Sequence, residues 1–268
     1  ILINDYIFIC FILGNDFMPH HPAINIRTNG IDILLDIYRK YFSYNNSIIQ
    51  NNQIQWKQIK KLFEILSKSE DFFLINEHNK RNKLENRFFP NDNTENKLNK
   101  LNNLPSIQRE KEKYIDPSSP FWESRYYETL FDISYHNDRI KKICINYLEA
   151  LEWNYNYYTS NCINWRWSYK YHYCPLFKDI IQYIPNYNIS IVSKDDRDFD
   201  SIFQLCYVLP QESHYLLSNK ISNKMIIHYP ELYNKNIQLE WAYCKYLWES
   251  HLTLPHIDIN KIEKILLT

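Results

Sequence analysis

"ILGNDFMPH", Ile12 to His20, is where an almost unbroken apolar run from Tyr6 to Leu13 meets a glycine, an amide and a carboxylate. Gly14 is one of only 2 glycines in 268 residues, so it marks a place where the backbone needs what other residues resist. The run reads as a short buried helix, with Asn4 or Asp5 as N-cap and Gly14 as the left-handed residue just past its end. Its β-branched content also suits a buried strand, and periodicity alone does not decide between the two. Beyond the turn, Pro19 and Pro22 bar a helix from "PHHPAINIR".

Working outward, "TNGIDILLDIYRKYF" places Ile33, Leu34, Ile37, Tyr38 and Tyr41 on one face of an amphipathic helix. A second helix fits "IQWKQIKKLFEILSKSEDFFL", with Ile59, Leu62, Phe63 and Leu66 as its stripe. It runs on toward Phe88 through Lys80, Arg81 and Lys83, which read as a solvated face. From Phe89 to Pro120 the composition turns polar and Asn-rich. Such a stretch buries too little apolar surface to order itself, so 89–120 is expected to be a mobile insertion or linker between 1–88 and 121–268. Order resumes at "FWESRYYETLF". The helix "DRIKKICINYLEALEWNYNYY" follows, with Ile143, Tyr147, Leu148 and Leu151 on one side. "NWRWSYKYHYCP" reads as an aromatic, irregular or extended segment. "FDSIFQLCYVLP" is a short helix stopped by Pro210, and a closing helix takes Asp258 as its N-cap. No internal repeat is present.

Composition excludes some functions. The chain is 45% hydrophobic and 23% charged, with a formal net charge of +0, so it is not a small basic DNA-binding module. A local nucleic-acid channel remains compatible with that balance. Its 6 cysteines lack C-x-x-C and zinc-finger spacing, and read as buried reduced thiols of an intracellular protein. The apolar start lacks a basic n-region and is too short to span a bilayer, so no membrane association is expected. Opening on Ile1 rather than Met, the chain reads as a piece of something longer.

Four motifs in order resemble one family, the Xrn-type 5′→3′ exoribonucleases. "DYIFICFILGNDFMPHHPAINIRTNGIDILLDIYRK" is similar to its helix, G-N-D-F-x-P-H turn and following I-R-x-x-x-I-D helix. "YYETLF" and "YLEALEWNYNYYTSNCINWRWSYKYHYCP" resemble its Tyr-Tyr segment, Trp-Tyr helix and Trp-rich run. "FQLCYVLPQES" and "LWESHLTLPHID" resemble two later motifs. Departures are Ala150 at a usual glycine, Ser168 and Lys170 within the Trp-rich run, Cys174 before Pro175, and the surroundings of Trp241.

The resemblance implies a mainly α chain with a few short strands, the distal half of an Xrn-type nuclease core that packs on an α/β nuclease sheet lying upstream. It implies 5′→3′ hydrolysis of single-stranded RNA carrying a 5′-monophosphate, in the cytoplasm or nucleus. Two Mg²⁺ ions, or Mn²⁺ in their place, activate the attacking water and stabilise the leaving oxygen. Asp16 is then the catalytic metal ligand, carboxylate oxygen being the donor hard cations prefer, with a solvent-facing or capping residue of the turn as the alternative, while Asn15 holds the turn. Most remaining acidic ligands and the 5′-phosphate pocket belong to the upstream nuclease half, the expected partner of this piece.

Trp165 and Trp167 are candidates for base stacking, since alternate residues of an extended segment share a side; both as core aromatics is the alternative. His172 is a candidate substrate contact or a packed, hydrogen-bonded histidine. Arg27 is a candidate phosphate contact or half of a structural ion pair. A non-catalytic RNA-binding scaffold with this fold, and a flap-type DNA nuclease, are the competing functional readings.

Overall fold

A computed structural model describes residues 2–195, 197–233, 238–253, 255 and 259–267. The apolar run resolves as a helix, α1 (Ile3–Phe11). Its N-cap is Leu2, without a side-chain cap, so neither Asn4 nor Asp5 has the expected role. Asp5 is instead fully buried. Its carboxylate accepts from the Tyr38 hydroxyl at 2.6 Å and from the backbone N–H groups of Ile48 and Ile49 at 2.9 and 2.8 Å. One charge thereby ties α1 to α2 (Gly30–Tyr41) and to the small antiparallel ribbon β1 (Ile49–Gln50) and β2 (Gln53–Ile54). Burial and the bond to Asp5 push the Tyr38 phenol up to about 12. Within α2, Leu34 and Tyr38 are buried as the pattern requires, while Tyr41 is exposed.

The second long helix is broken in two, α3 (Trp56–Ser67) and α4 (Glu70–Glu85). Ile59, Leu62, Phe63 and Leu66 are all 0% exposed, each burial contributing about 1.5–3 kcal/mol. Breaking the helix after Ser67 frees Glu70 for burial. Its carboxylate accepts from the N–H groups of Phe177 and Lys178 at 2.6 and 3.2 Å and meets His21 Nε2 at 3.1 Å. That locks the start of the short helix α10 (Phe177–Ile180) against α3 and the loop after Gly14.

The Asn-rich stretch departs most from expectation. It carries α5 (Thr94–Asn102), α6 (Leu104–Ile107) and α7 (Glu110–Ile115). What orders it is polar. Glu112 is buried and accepts from Arg81 Nε and Nη2, both at 2.7 Å, from Arg109 Nε at 2.6 Å, and from Tyr243 N at 2.8 Å. Arg81 is therefore no solvated residue: it is 5% exposed, and the Cys244 carbonyl takes a further bond from its Nη2 at 2.8 Å. A hydropathy argument counts only apolar burial and misses a buried ion cluster.

Two helices complete the centre: α8 (Trp122–Phe131) and the 23-residue α9 (Asn137–Thr159). Ile143, Tyr147, Leu148, Ala150 and Leu151 of α9 are all buried, and α9 packs on α1 and α10. A smaller apolar cluster of Phe203, Cys206, Leu217, Met225, Tyr229 and Ile262 joins α11 (Ser201–Val208), α12 (Asn219–His228) and α13 (Ile259–Leu267). Asp258, expected to cap α13, lies outside the described residues. A second ribbon pairs β3 (Gln238–Glu240) with β4 (His251–Thr253). Among the described residues the architecture is thus helical with two two-stranded ribbons. All six cysteines are free, and no described helix is long and apolar enough to cross a membrane.

Candidate nucleic-acid interface

Gly14 has φ +83°, and a Cβ there would lie 2.8 Å from the His20 backbone nitrogen, so the chain turns where only glycine fits without strain. The other glycine, Gly30, buttresses the same corner: its Cβ would meet the Asn25 carbonyl at 2.6 Å and Leu13 at 2.8 Å. Asn15 then fastens the turn. Its Oδ1 accepts from the N–H groups of Phe17 and Met18 at 3.0 and 3.1 Å, and its Nδ2 donates to Asn154 Oδ1 on α9 at 2.7 Å. Asp16, between these anchored neighbours, is exposed. Its carboxylate has no hydrogen-bond or ion-pair partner among the described residues.

Phe17 seats the turn on an aromatic ladder. Its ring lies 5.0 Å from both Trp153 and Tyr157, which stack on each other at 5.0 Å one helical turn apart on α9. Trp167 stacks on Trp153 at 5.4 Å, and its indole N–H donates to Glu149 at 3.2 Å. Trp165 meets Tyr157 edge-on at 6.3 Å and stays 51% exposed. The two candidate tryptophans therefore differ: Trp167 is half-buried in the ladder, and Trp165 faces solvent. The segment is not extended there. Asn164 Oδ1 accepts from Arg166 N at 2.8 Å to make a tight turn, and both indoles reach α9 because of that turn rather than by strand alternation.

On the other side of the Gly14–Asp16 turn lies a cleft of about 440 Å³. His172 and Arg27 both line it. His172 stacks on His251 at 4.7 Å while part of its ring stays exposed, so it is packed as in the alternative reading but without a hydrogen bond among the described residues. Arg27 forms an ion pair with Glu249 at 2.7 Å, and its guanidinium carbon sits 5.8 Å from the ring centres of Tyr246 and Trp248. Burial and the neighbouring histidines hold the His251 imidazole down to about 4, and burial also lowers His20. His21 faces away, buried on Phe177 at 4.3 Å. Trp153 and Tyr157 lie in the quoted Trp-Tyr helix and Trp248 and His251 in LWESHLTLPHID, but none of them, nor Tyr246, is singled out as a site residue by the sequence; the four-residue spacing of Trp153 and Tyr157 and the motif around Trp248 are the visible signals.

Asp16 thus sits between a ladder bearing one exposed indole and a cleft bearing imidazoles and a neutralised guanidinium. No group of three or more His, Cys, Asp or Glu able to hold a metal ion occurs among the described residues. Residues 1–119 and 95–267 match the family model described as the Xrn1 helical domain. The chain belongs to the Xrn1 helical-domain family. This helical domain is 22% identical to the 5′-3′ exoribonuclease 2 homolog of Drosophila melanogaster over 318 residues, covering 98% of the chain and 34% of that protein. It is 23% identical to 5′-3′ exoribonuclease 2 of Gallus gallus, over 98% of the chain and 35% of the relative. To 5′-3′ exoribonuclease 2 of Schizosaccharomyces pombe it is 31% identical over 150 residues, 53% of the chain and 14% of that protein. The chain therefore spans about a third of the length of the first two.

Proposed function

We propose that this Xrn helical domain is the distal part of a 5′→3′ exoribonuclease that hydrolyses single-stranded RNA bearing a 5′-monophosphate, and that Asp16 is its contribution to a divalent-metal site. The observation that carries the reading is the unpartnered Asp16 carboxylate, exposed on a turn that Gly14 and Asn15 hold rigid. An exposed carboxylate without a competing cation fits one oxygen ligand of Mg²⁺ or Mn²⁺, the remaining ligands coming from the upstream nuclease half. Bound divalent ions would supply an activated water and charge stabilisation at the leaving oxygen.

The chain's own residues do the rest. Asn15 and Asn154 keep the carboxylate from swinging. Trp165, exposed at the edge of Tyr157, offers a π-face that accepts any base, which an enzyme degrading every sequence needs. Ile3 and Tyr6 of α1 stand 78% and 42% exposed, an apolar edge suited to packing on the upstream half. The test uses the complete protein with RNA labelled at its 3′ end. A 5′-monophosphate substrate should shorten from the 5′ end in Mg²⁺, releasing mononucleotides, and a 5′-hydroxyl substrate should resist. Shortening from the 3′ end, or intact RNA under every condition, contradicts the reading.

A further inference from the structure

The chain carries no net charge overall, yet its charges are unevenly spread. Between Asp36 and Glu64 there is no acidic residue, while Arg39, Lys40, Lys57, Lys60 and Lys61 all fall within that stretch. The fold gathers them on one surface. Lys61 of α3 donates to the Tyr41 carbonyl at 2.6 Å, so the two basic segments meet where α2 ends. Asp36 neutralises Arg39 at 3.2 Å. Lys40, Lys57 and Lys60 have no ion-pair partner among the described residues, and a carbonyl leaves the charge of Lys61 in place.

Aromatic rings and amides lie among these cations. Tyr44 is 79% and Tyr41 39% exposed, and the Lys40 ammonium sits 5.1 Å from the centre of the Tyr41 ring. Tyr44 opens a short turn (Tyr44–Asn46) that leads into β1, and the Asn45 carbonyl accepts from Gln50 Nε2 at 3.3 Å. Asn51 and Asn52, both left-handed with φ 50° and 57°, form the tip of the β1–β2 ribbon. At that tip Lys194 joins Asn52 and Gln53 around a cleft of about 280 Å³. The acid in this cleft, Glu152, is buried, with one carboxylate oxygen accepting from the N–H groups of Ile191 and Val192 at 2.7 and 3.1 Å. The buried Asp5 fastens the ribbon from beneath through Ile48 and Ile49. The surface is therefore held in place in advance, which lowers the ordering cost of binding.

Each component has a counterpart in one kind of ligand. Uncompensated lysines neutralise phosphates. Exposed tyrosine rings stack on unpaired bases. Amide side chains donate to and accept from base edges. A purely basic patch would suit an acidic polypeptide equally well; rings set among the lysines favour single-stranded nucleic acid. We infer that the surface formed by the end of α2, the β1–β2 ribbon and the start of α3 is a second contact site for single-stranded RNA. Lys40, Lys57, Lys60 and Lys61 are its cations and Tyr44 is its stacking platform; none of them lines the cleft beside Asp16. The inference rests on the proposed function and adds to it a handhold for RNA that still awaits hydrolysis.

The test is equilibrium binding to the complete protein in EDTA, which prevents metal-dependent cleavage. The probes are a long 5′-phosphorylated single-stranded RNA and, for the Asp16 site alone, a 5′-phosphorylated dinucleotide. Lys57→Gln combined with Lys60→Gln should lower the slope of log affinity for the long RNA against log salt by about 1.4, two phosphate contacts on a single strand. Dinucleotide affinity and melting temperature should stay unchanged, and arginine at both positions should keep the slope. Tyr44→Ala should weaken the long RNA by about 5- to 150-fold, the worth of one base–aromatic stack, and Tyr44→Phe should restore most of it. Should the double variant melt early, Lys40→Gln alone should lower the slope by about 0.7. Unchanged affinity and slope in a folded lysine variant overturn the site. So does competition by poly-glutamate as strong as by RNA with Tyr44→Ala silent, which assigns the surface to an acidic protein. If the wild-type protein still shortens 5′-monophosphate RNA from its 5′ end, the exonuclease reading survives that failure; if it binds neither probe, both fall.

Discussion

At the scale of single residues, two indoles separated by one arginine have different work. Trp165 is 51% exposed and touches the ladder by an edge, whereas Trp167 is stacked on Trp153 and bonded to Glu149. In the complete protein, Trp165→Ala should cost single-stranded RNA binding about 1–3 kcal/mol, similarly for all four bases. It should leave the melting temperature and the salt dependence nearly unchanged, since no phosphate contact is lost. Trp167→Ala should do the reverse, lowering stability by up to about 3 kcal/mol, the lower end for a buried indole. Melting curves and RNA titrations on both variants check this; an early-melting Trp165→Ala that binds RNA normally contradicts the assignment. Much at this scale was legible beforehand. Gly14 announced a left-handed turn because glycine is scarce, and Asn15 announced a local bond because its side chain reaches its own backbone. Which tryptophan faces solvent was not legible, because the turn at Asn164–Arg166 depends on partners outside the segment, such as Ser193, whose carbonyl accepts from Asn164 at 2.9 Å.

At the scale of elements, helices with an apolar stripe could be read from the sequence and those held by charge could not. The stripe Ile59–Leu66 and the buried side of α9 follow from a 3.6-residue period. Helices α5, α6 and α7 have no such stripe. Their anchor, Glu112, is shared by Arg81 from 31 residues earlier and by the backbone of Tyr243 far downstream. Because Tyr243 and Cys244 line the cleft beside Asp16, this ion cluster also positions the cleft wall. Glu112→Gln would leave Arg81 buried with a neutral partner and Arg109 with only the longer 3.5 Å pair to Glu85. Breaking such a pair typically costs about 3–5 kcal/mol, so the variant should melt markedly earlier and residues 94–115 should become protease-sensitive. An unchanged melting temperature would show that the segment is held by something else.

At the scale of the whole molecule, the helical domain sets the Asp16 turn against an aromatic ladder that ends in the exposed Trp165 and beside a cleft that holds the exposed Trp248. The G-N-D turn, the α9 ladder and the last ribbon each contribute a wall. The sequence order of the motifs was enough to foresee the fold class, but not the ladder joining Phe17 to Trp153 and Tyr157 across 136 to 140 positions. Nor could it foresee that Arg27 is claimed by Glu249, 222 positions away. The central claim is that Asp16 is exposed in order to bind metal. It is tested most directly by single-turnover cleavage of 5′-monophosphate RNA in Mg²⁺ by the complete protein and its Asp16→Asn variant, with circular dichroism to check the fold. The exchange removes one charge at constant size from a residue with no structural partner, so the variant should fold normally and lose hydrolysis almost entirely. Near-normal cleavage by a folded Asp16→Asn protein would contradict the account.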